Sequence, residues 1–388
     1  MRGHRWLGVV LGAGLLVCVR ARAGEEEKVV PKAEPVSEAE KAKLLAAETP
    51  KQRALRAELA RLKTKILFNA NPEGNNDIFI ANADGSDVKQ LTSGPADDTY
   101  PHLSPDGKRV VFQRDEVLGK EAVAGMPFDE RFPLNWKRKI RNDKKAPAIW
   151  TMNVDGSDAK RVAVGASLPH WSPNGKVICY TIYQGRGHLP GLLDLGAKTE
   201  RALKVTGLRN GGHPCFSPDG KWLFVSNGAG VMLPMNEAQN GLAEGGAPLT
   251  VIRGHPCNGE ISPDGKWVMT VADTHKCLGS WLVYAPFDGK TGKVGRGKHF
   301  DLGWEKKTVN YFPDFSPCGK YFTYVHAESE DGVKSWLVTK NQEIYIARFP
   351  ADGTAVRVTW TNAASQHPHW TREPVGPEKP KGDPAKRN

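Results

Sequence analysis

One phrase recurs through this chain and constrains its fold more than any other feature. A proline, a variable residue and a large apolar residue are followed by Ser-Pro-Asp-Gly-Lys or a close variant, and then by alternating apolar residues. Proline at the first central position of a turn, with Asp-Gly after it, is typical of a tight β-turn, so each copy predicts a β-hairpin. The copies begin at Pro101, Pro169, Pro214, Pro256, Pro313 and Pro368, with three extra residues before the serine of the fourth.

A second unit lies between these copies. It is an alternating segment that ends in Asp-Gly, as at Asp84-Gly85, Asp155-Gly156 and Asp352-Gly353. Asp-Gly between alternating segments is a strong hairpin signal. Two hairpins per repeat give a four-stranded antiparallel sheet, and sheets of that size repeated every 42 to 68 residues are typical of a β-propeller.

The two ends of the repeat region complete each other. The last copy stops after Pro368-His369-Trp370 and supplies one innermost strand, whereas the segment that begins at Ile66 supplies three strands without such a partner. Sharing one blade between the two segments removes two sheet edges. The sequence therefore predicts an all-β fold: a six-bladed β-propeller of four-stranded antiparallel blades over residues 66–370, closed by N- and C-terminal segments that share one blade.

Residues 1–23 have the pattern of a secretory signal peptide. Arg2, His4 and Arg5 precede the apolar run 6–19, and Ala21-Arg22-Ala23 offers a small-x-small cleavage site. The run is shorter than the roughly 20 residues that span a bilayer. We therefore expect a periplasmic or secreted protein with no transmembrane span after cleavage. Lipidation of Cys18 is less favoured because Val17 is bulkier than the residue that such processing prefers.

A short helical extension is predicted over residues 24–65. Its two helices are marked by N-terminal capping patterns. These patterns are Ser37 with Glu40, and Thr49-Pro50 with Gln52. Leu55, Leu59 and Leu62 share one face of the second helix, so it packs on the propeller or on a partner. The Pro- and Lys-rich tail 371–388 is expected to be disordered.

The formal net charge of +11 does not belong to the propeller body. The leader carries four of these charges, the run 137–145 carries five and the tail carries two, so the remainder is neutral. Nucleic acid is therefore not the expected partner, and export also argues against it. The run is interpreted either as a solvated loop or as a surface for an acidic envelope protein, an anionic envelope polymer or a lipid headgroup. Its bases are Lys137, Arg138, Lys139, Arg141, Lys144 and Lys145.

One position of the repeat can carry chemistry. The residue two before each turn serine points away from the apolar packing face, and in all six copies it is a side chain that can bind a transition metal. These candidates are His102, His170, Cys215, Glu260, Asp314 and His369. On a regular strand, His213 and His367 lie on the same face, about 7 Å from Cys215 and His369 respectively. The innermost strands line the axial channel, so a divalent metal there is one hypothesis. Polar side chains that contact water and one another are the other.

The sequence does not determine how the cysteines pair. Five cysteines remain beyond the leader, an odd number, so at least one is free, metal-bound or intermolecular. Disulfides between Cys215 and Cys257, or between Cys257 and Cys277, are both compatible with the sequence.

The repeated Ser-Pro-Asp-Gly-Lys phrase over residues 66–370 resembles the TolB-like, WD40-like propeller family. This resemblance implies a six-bladed propeller that acts as a binding or scaffold protein of the cell envelope, and we expect a monomer. Some TolB-like propellers resemble oligogalacturonate lyases, so a metal-dependent carbohydrate-active enzyme that uses the channel is the alternative. A serine hydrolase is not expected, because the sequence contains no Gly-x-Ser-x-Gly elbow.

Overall fold

A computed structural model describes most of the chain. The predicted partner-binding bases Lys137, Arg138, Lys139, Arg141, Lys144 and Lys145 lie outside the described residues, as does almost all of the tail. The described residues are 7–11, 15–19, 35–72, 74–115, 147–184, 187–205, 208, 211–226, 229–253, 257–272, 281–300, 308–328, 342–362 and 364–371.

The first part of the chain contains two short strands and two helices. Strands β1 (Leu7–Leu11) and β2 (Leu15–Val19) pair antiparallel within the predicted leader. Helix α1 spans Glu38–Ala46 and helix α2 spans Pro50–Leu59. Both start at the predicted caps, Ser37 and Thr49. In the described part of the chain, no helix has the length and apolar character needed to cross a membrane.

The remaining strands form six antiparallel blades. The closing blade contains β3 (Lys65–Ala70), β4 (Asp77–Asn82), β5 (Lys89–Gln90) and, from the other end of the chain, β27 (Gln366–Trp370). Blade 1 contains β6 (Asp97–Leu103), β7 (Arg109–Asp115), β8 (Ala148–Asn153) and β9 (Lys160–Val164). Blade 2 contains β10 (Ala166–Trp171), β11 (Val177–Gln184), β12 (Gly187–Asp194) and β13 (Thr199–Ala202).

Blades 3 to 5 follow the same order. Blade 3 contains β14 (Gly212–Phe216), β15 (Trp222–Ser226), β16 (Ala229–Pro234) and β17 (Leu249–Arg253). Blade 4 contains β18 (Cys257–Ile261), β19 (Trp267–Ala272), β20 (Trp281–Asp288) and β21 (Lys293–Val294), with β22 (Lys298–His299) also paired to β20. Blade 5 contains β23 (Thr308–Phe315), β24 (Tyr321–Glu328), β25 (Glu343–Arg348) and β26 (Ala355–Arg357).

The ring is closed as the sequence predicts. Strand β27 pairs antiparallel with β3, with Trp370 opposite Ile66 and His369 opposite Leu67. The pairing extends to Thr371, whose backbone N–H donates to the backbone carbonyl of Lys65. The predicted all-β fold with six blades and a shared closing blade is therefore confirmed.

Helix α2 packs on the propeller, which decides between the two alternatives that its apolar face left open. Leu55 and Leu59 are fully buried in one core cluster with Trp370 of the closing blade and Ile344 of blade 5. The Arg56 guanidinium donates to the backbone carbonyl of Asp84 in the closing blade and to that of Arg357 in blade 5, at 2.8 and 2.9 Å. The helix thus bridges the junction of these two blades.

The inner hairpins show why the repeated phrase has its composition. In blade 1, the hydroxyl of Ser104 donates to the Asp106 carboxylate at 2.6 Å and accepts from the Arg109 N–H at 2.9 Å. Gly107 has φ +73°, a left-handed value that glycine adopts at no steric cost. Equivalent serine to Asp or Asn bonds form in blades 2, 3 and 4. The phrase is therefore a hydrogen-bonded turn, repeated around the ring.

Two of the Asp-Gly turns between outer strands contact the preceding blade. A Cβ added to Gly85 would lie 2.3 Å from the backbone oxygen of Val358, and one added to Gly156 would lie 2.5 Å from that of Leu91. At Gly353 the same addition meets nothing within 4 Å, although φ is +79° there and +85° at Gly85. These turns therefore separate the conformational role of glycine from its role in packing between blades.

We predict that Gly85→Ala destabilises the protein more than Gly353→Ala. Both substitutions place a side chain at positive φ, which costs about 1–2 kcal/mol. Gly85→Ala also forces a backbone oxygen of blade 5 to move, which adds about 1–3 kcal/mol. Urea unfolding measures both variants against the wild type. Equal losses of stability would contradict the contact between blades.

A buried histidine in blade 5 makes the stability depend on pH. His326 is 4 % exposed, and its Nδ1 lies 2.9 Å from the Asn310 side-chain oxygen. Burial lowers the pKa of His326 to about 4, and the charge of Arg357 acts in the same direction. Between an ordinary pKa of about 6.5 and this value, the unfolded chain binds a proton that the folded protein does not bind.

We therefore predict that the free energy of unfolding decreases as the pH falls from about 6.5 to 4, with His326 contributing up to about 3 kcal/mol of the loss. His326→Gln should make the decrease shallower, because glutamine does not titrate. His299→Gln is the matched control, since His299 is exposed on β22. The measurement is the urea midpoint at several pH values, and an unchanged slope in His326→Gln would contradict the prediction.

Candidate functional site in the axial channel

The innermost strand of every blade contains the same β-bulge. In each strand one non-glycine residue has φ between +49° and +56°, and the register with the next strand shifts at that point. Proline follows this residue in five blades and Gly259 follows it in blade 4. We call these six residues the left-handed tier. They are Tyr100, Leu168, His213, Asn258, Phe312 and His367.

The residue two positions later forms a second ring, which we call the polar tier. It consists of the six metal-ligand candidates predicted from the repeat: His102, His170, Cys215, Glu260, Asp314 and His369. Both tiers line one cavity of about 90 Å³ on the propeller axis. The structure thus brings all six candidates to one channel. The regular strand assumed for His213 and His367 is wrong, because the bulge places these two histidines in the left-handed tier.

Three neighbouring members of the polar tier converge. The Cys215 thiol donates to Oε2 of Glu260 at 3.1 Å, and Nε2 of His170 lies 3.7 Å from the same oxygen. One donor atom from each residue lies within 4.8 Å of the other two. Among the described residues, this triad is the one set of three or more His, Cys, Asp or Glu side chains with metal-ligand spacing.

The orientation of His170 is set by its own strand. Its Nδ1 lies 3.0 Å from the backbone carbonyl of Trp171. Because a carbonyl oxygen only accepts, Nδ1 carries the proton. In the neutral ring, Nε2 therefore carries a lone pair, and this nitrogen has no hydrogen-bond partner among the described residues. In this neutral form a lone pair faces the carboxylate of Glu260, whereas a proton on Nε2 makes the same contact an ion pair.

The electrostatics of the triad follow from burial. Desolvation opposes the charged imidazolium, but the Glu260 carboxylate, the Trp171 carbonyl and the charge of Asp314 together outweigh it and raise the pKa of His170. Desolvation, with the charge of Glu260, also raises the pKa of the Cys215 thiol well above its ordinary value. Without a bound cation, the thiol is therefore protonated at neutral pH.

The other half of the polar tier is occupied by contacts within the protein. His369 Nδ1 lies 2.9 Å from Asp314 Oδ2, and the backbone N–H of Trp370 donates to the same oxygen at 2.9 Å. The His102 ring lies between the rings of His170 and His369, with centroids 3.5 and 3.7 Å away. The tier therefore divides into one arc that contains the contact between His369 and Asp314 and a second arc that contains the converging triad.

The left-handed tier lines the channel next to the polar tier. Nδ1 of His367 lies 2.6 Å from the Asn69 side-chain oxygen, and its ring lies against Tyr100 and Phe312, with centroids 3.6 and 4.0 Å away. Burial lowers the pKa of His213 to about 4, and burial together with the charge of His213 lowers that of His367 well below its ordinary value. Both histidines are neutral at pH 7 and fill space in the channel.

The cysteines near the axis are free thiols. Cys215 is not half of the disulfide with Cys257 that the sequence left open. Cys179 lies buried behind it, with its sulfur 3.4 Å from the backbone oxygens of His170 and Pro214. Cys277 and the side chain of Cys257 lie outside the described residues.

Sequence reasoning missed most of the left-handed tier. It did not single out Tyr100, Leu168, Asn258 or Phe312, and it did not identify Asn69 as the partner of His367. The available signal was the position before each proline, which is a large residue or histidine in the five blades that have the proline. Their left-handed backbone could not be read from that pattern, because residues before proline usually prefer extended conformations.

Known proteins share this fold. No protein-family model matches the sequence. TolB from Acinetobacter baumannii superposes with a TM-score of 0.57 at 16% sequence identity, and the superposition covers 92% of this chain and 75% of that one. The TolB homologue of Chlorobium chlorochromatii is 28% identical over 165 residues, or 42% of this chain and 31% of that protein. The uncharacterized peptidase YuxL of Bacillus subtilis is 26% identical over 189 residues, or 47% of this chain and 23% of that protein.

The matches differ in how much of each protein they cover. The matched segments span less than one third of the two sequence relatives, so the similarity does not extend to their whole lengths. The superposition with TolB covers nearly all of this chain. The resemblance to TolB-like propellers predicted from the repeated phrase is therefore confirmed.

Proposed function

Because the chain is a TolB-like six-bladed β-propeller, we propose that it acts as an exported binding protein whose outer surface holds an envelope partner. The filled axis is the observation that supports this most. Two tiers of six side chains leave about 90 Å³ of space, whereas small-molecule sites usually offer roughly 300 Å³ or more. A protein or polymer partner would therefore be recognised on the outside of the ring.

A carbohydrate-active enzyme that uses the channel is the weaker candidate. A water molecule occupies about 30 Å³ of liquid, so the cavity has room for an ion and a few waters. A cavity of about 90 Å³ is smaller than the sites that usually hold a small molecule, which disfavours a sugar ring with its carboxylate. We therefore favour binding over sugar cleavage.

The compartment and the partner surface rest on the sequence. The basic start, short apolar run and small residues of 1–23 support export to the periplasm or the cell exterior. The run 137–145 holds six bases and one acid, while the rest of the propeller is balanced in charge. A concentrated positive segment on a neutral body favours an acidic protein or an anionic polymer of the envelope as partner.

We predict that export depends on residues 1–23. The full chain expressed in its host should appear in the exported fraction with Gly24 as its first residue, which mass spectrometry of the N-terminus measures. Ala23→Arg should block processing, because cleavage requires a small residue at that position. Ala33→Arg, beyond the cleavage site, is the control. An intact N-terminus in the cytoplasm would contradict export.

We also predict that the run 137–145 binds polyanions. Fluorescent polyglutamate serves as the probe, and its affinity should fall by about tenfold or more between 50 and 300 mM salt, since exposed charges are screened over this range. Replacing the six bases with glutamine should abolish most of the binding. Replacing the five bases of the tail with glutamine is the matched control and should change the affinity by about twofold or less. Salt-insensitive binding, or an equal loss of affinity in the tail control, would contradict the prediction.

A further inference from the structure

We propose that His170, Cys215 and Glu260 form a transition-metal site on the propeller axis, with Zn²⁺ as the ion that their chemistry fits best. The inference is independent of the partner proposed above. It rests on the arrangement of three side chains at equivalent positions of blades 2, 3 and 4. They are spaced 45 residues apart in the sequence.

The unpaired nitrogen of His170 is the first argument. The carbonyl of Trp171 fixes the Nδ1–H tautomer, so Nε2 presents a lone pair to the Glu260 carboxylate at 3.7 Å. Two electron-rich atoms facing each other in a buried channel require a cation between them or a proton on one of them. Binding of one imidazole nitrogen to a metal while the other donates to a backbone carbonyl is the usual arrangement of histidine ligands.

The donor set is the second argument. Imidazole nitrogen, thiolate sulfur and carboxylate oxygen are all ligands of Zn²⁺, at about 2.0–2.3 Å. A divalent ion with one thiolate, one carboxylate and one neutral imidazole is neutral overall. Such a neutral centre is the form in which charges are least costly to bury. The metal would displace the proton of the Cys215 thiol, since the thiolate is the binding form.

Geometry is the third argument. Tetrahedral bonds of that length place neighbouring ligand atoms about 3.3–3.6 Å apart. The observed separations are 3.1 Å between Cys215 Sγ and Glu260 Oε2 and 3.7 Å between Glu260 Oε2 and His170 Nε2. The third pair of ligand atoms, from Cys215 and His170, lies within 4.8 Å, so side-chain rotations that bring these atoms closer complete the site. All three residues line the 90 Å³ cavity, which leaves the fourth position for water.

The remaining polar-tier residues do not compete for the metal. Asp314 is held by His369 and by the backbone N–H of Trp370, and His102 Nδ1 accepts from the backbone N–H of Trp171 at 3.4 Å. Among the described residues, the set with metal-ligand spacing contains none of Asp314, His369 and His102. The proposed site is thus confined to one arc of a ring whose backbone is the same in all six blades.

The test uses the full mature protein, stripped with a chelator and titrated with Co²⁺. We expect one equivalent to bind and to give the near-ultraviolet band of a thiolate ligand together with the visible bands of a four-coordinate ion. Zn²⁺ should displace it. Cys215→Ser should lose the thiolate band, and Glu260→Gln should keep the band with Co²⁺ bound about tenfold or more weakly.

Cys179→Ala is the matched control. Cys179 is a second buried thiol next to the triad, and its sulfur lies near backbone oxygens rather than near Glu260. Its replacement should leave the thiolate band and the affinity unchanged. His369→Gln, in the other arc, should also retain the band.

X-ray absorption at the zinc edge of the wild-type protein gives a result that needs no variant to fold. One sulfur at about 2.3 Å, with nitrogen or oxygen at about 2.0 Å, supports the triad. Failure of the wild type to bind a stoichiometric metal overturns the proposal. So does a zinc spectrum without sulfur, a thiolate band that survives in Cys215→Ser, or a band lost in Cys179→Ala.

Discussion

The left-handed residue in each innermost strand is the constraint on which the axial site depends. A residue before proline avoids helical conformations, and an L-residue at positive φ costs about 1–2 kcal/mol. The chain nevertheless adopts this conformation in all six blades. Each bulge adds a residue to the inner strand, and the left-handed residue and the residue two positions later line the channel as separate tiers. Strain of this kind persists where surrounding structure holds it, and such places are often functional.

The six innermost strands share one backbone conformation but carry different side chains in the polar tier, and these differences give the channel its chemistry. Three histidines occupy one arc of the polar tier, and the two carboxylates of Glu260 and Asp314 are neighbours on the other side. The histidine arc has His170 at one end and His369 at the other. Glu260 contacts His170, and Asp314 contacts His369. The two ends differ in one respect. His369 and Asp314 make a short contact, whereas His170 and Glu260 leave room for Cys215.

The architecture could be predicted from the sequence because the same hairpin phrase recurs along the chain. Turn residues at fixed offsets gave the hairpins, and the incomplete first and last copies gave the shared closing blade. The same alignment collected the polar tier, since residues at one offset in every blade lie at one height on the axis. It could not divide the tier, because that division depends on side-chain distances of 2.9 to 3.7 Å across different blades. The role of His213 and His367 was missed because period-two reasoning assumes a regular strand, and a bulge breaks that period.

The closing blade also has a consequence for the order in which the protein can assemble. The bond between His367 and Asn69 joins residues 298 positions apart, so the strand that completes the ring is made after all the others. Until that strand is made, Leu55 and Leu59 of helix α2 and Ile66 of β3 stay exposed on the side that Trp370 later covers. A chain that leaves the ribosome or crosses a membrane from its N-terminus remains an open arc until that moment. We expect the pairing of β27 with β3 to be the slowest folding step, since long-range pairing is slow.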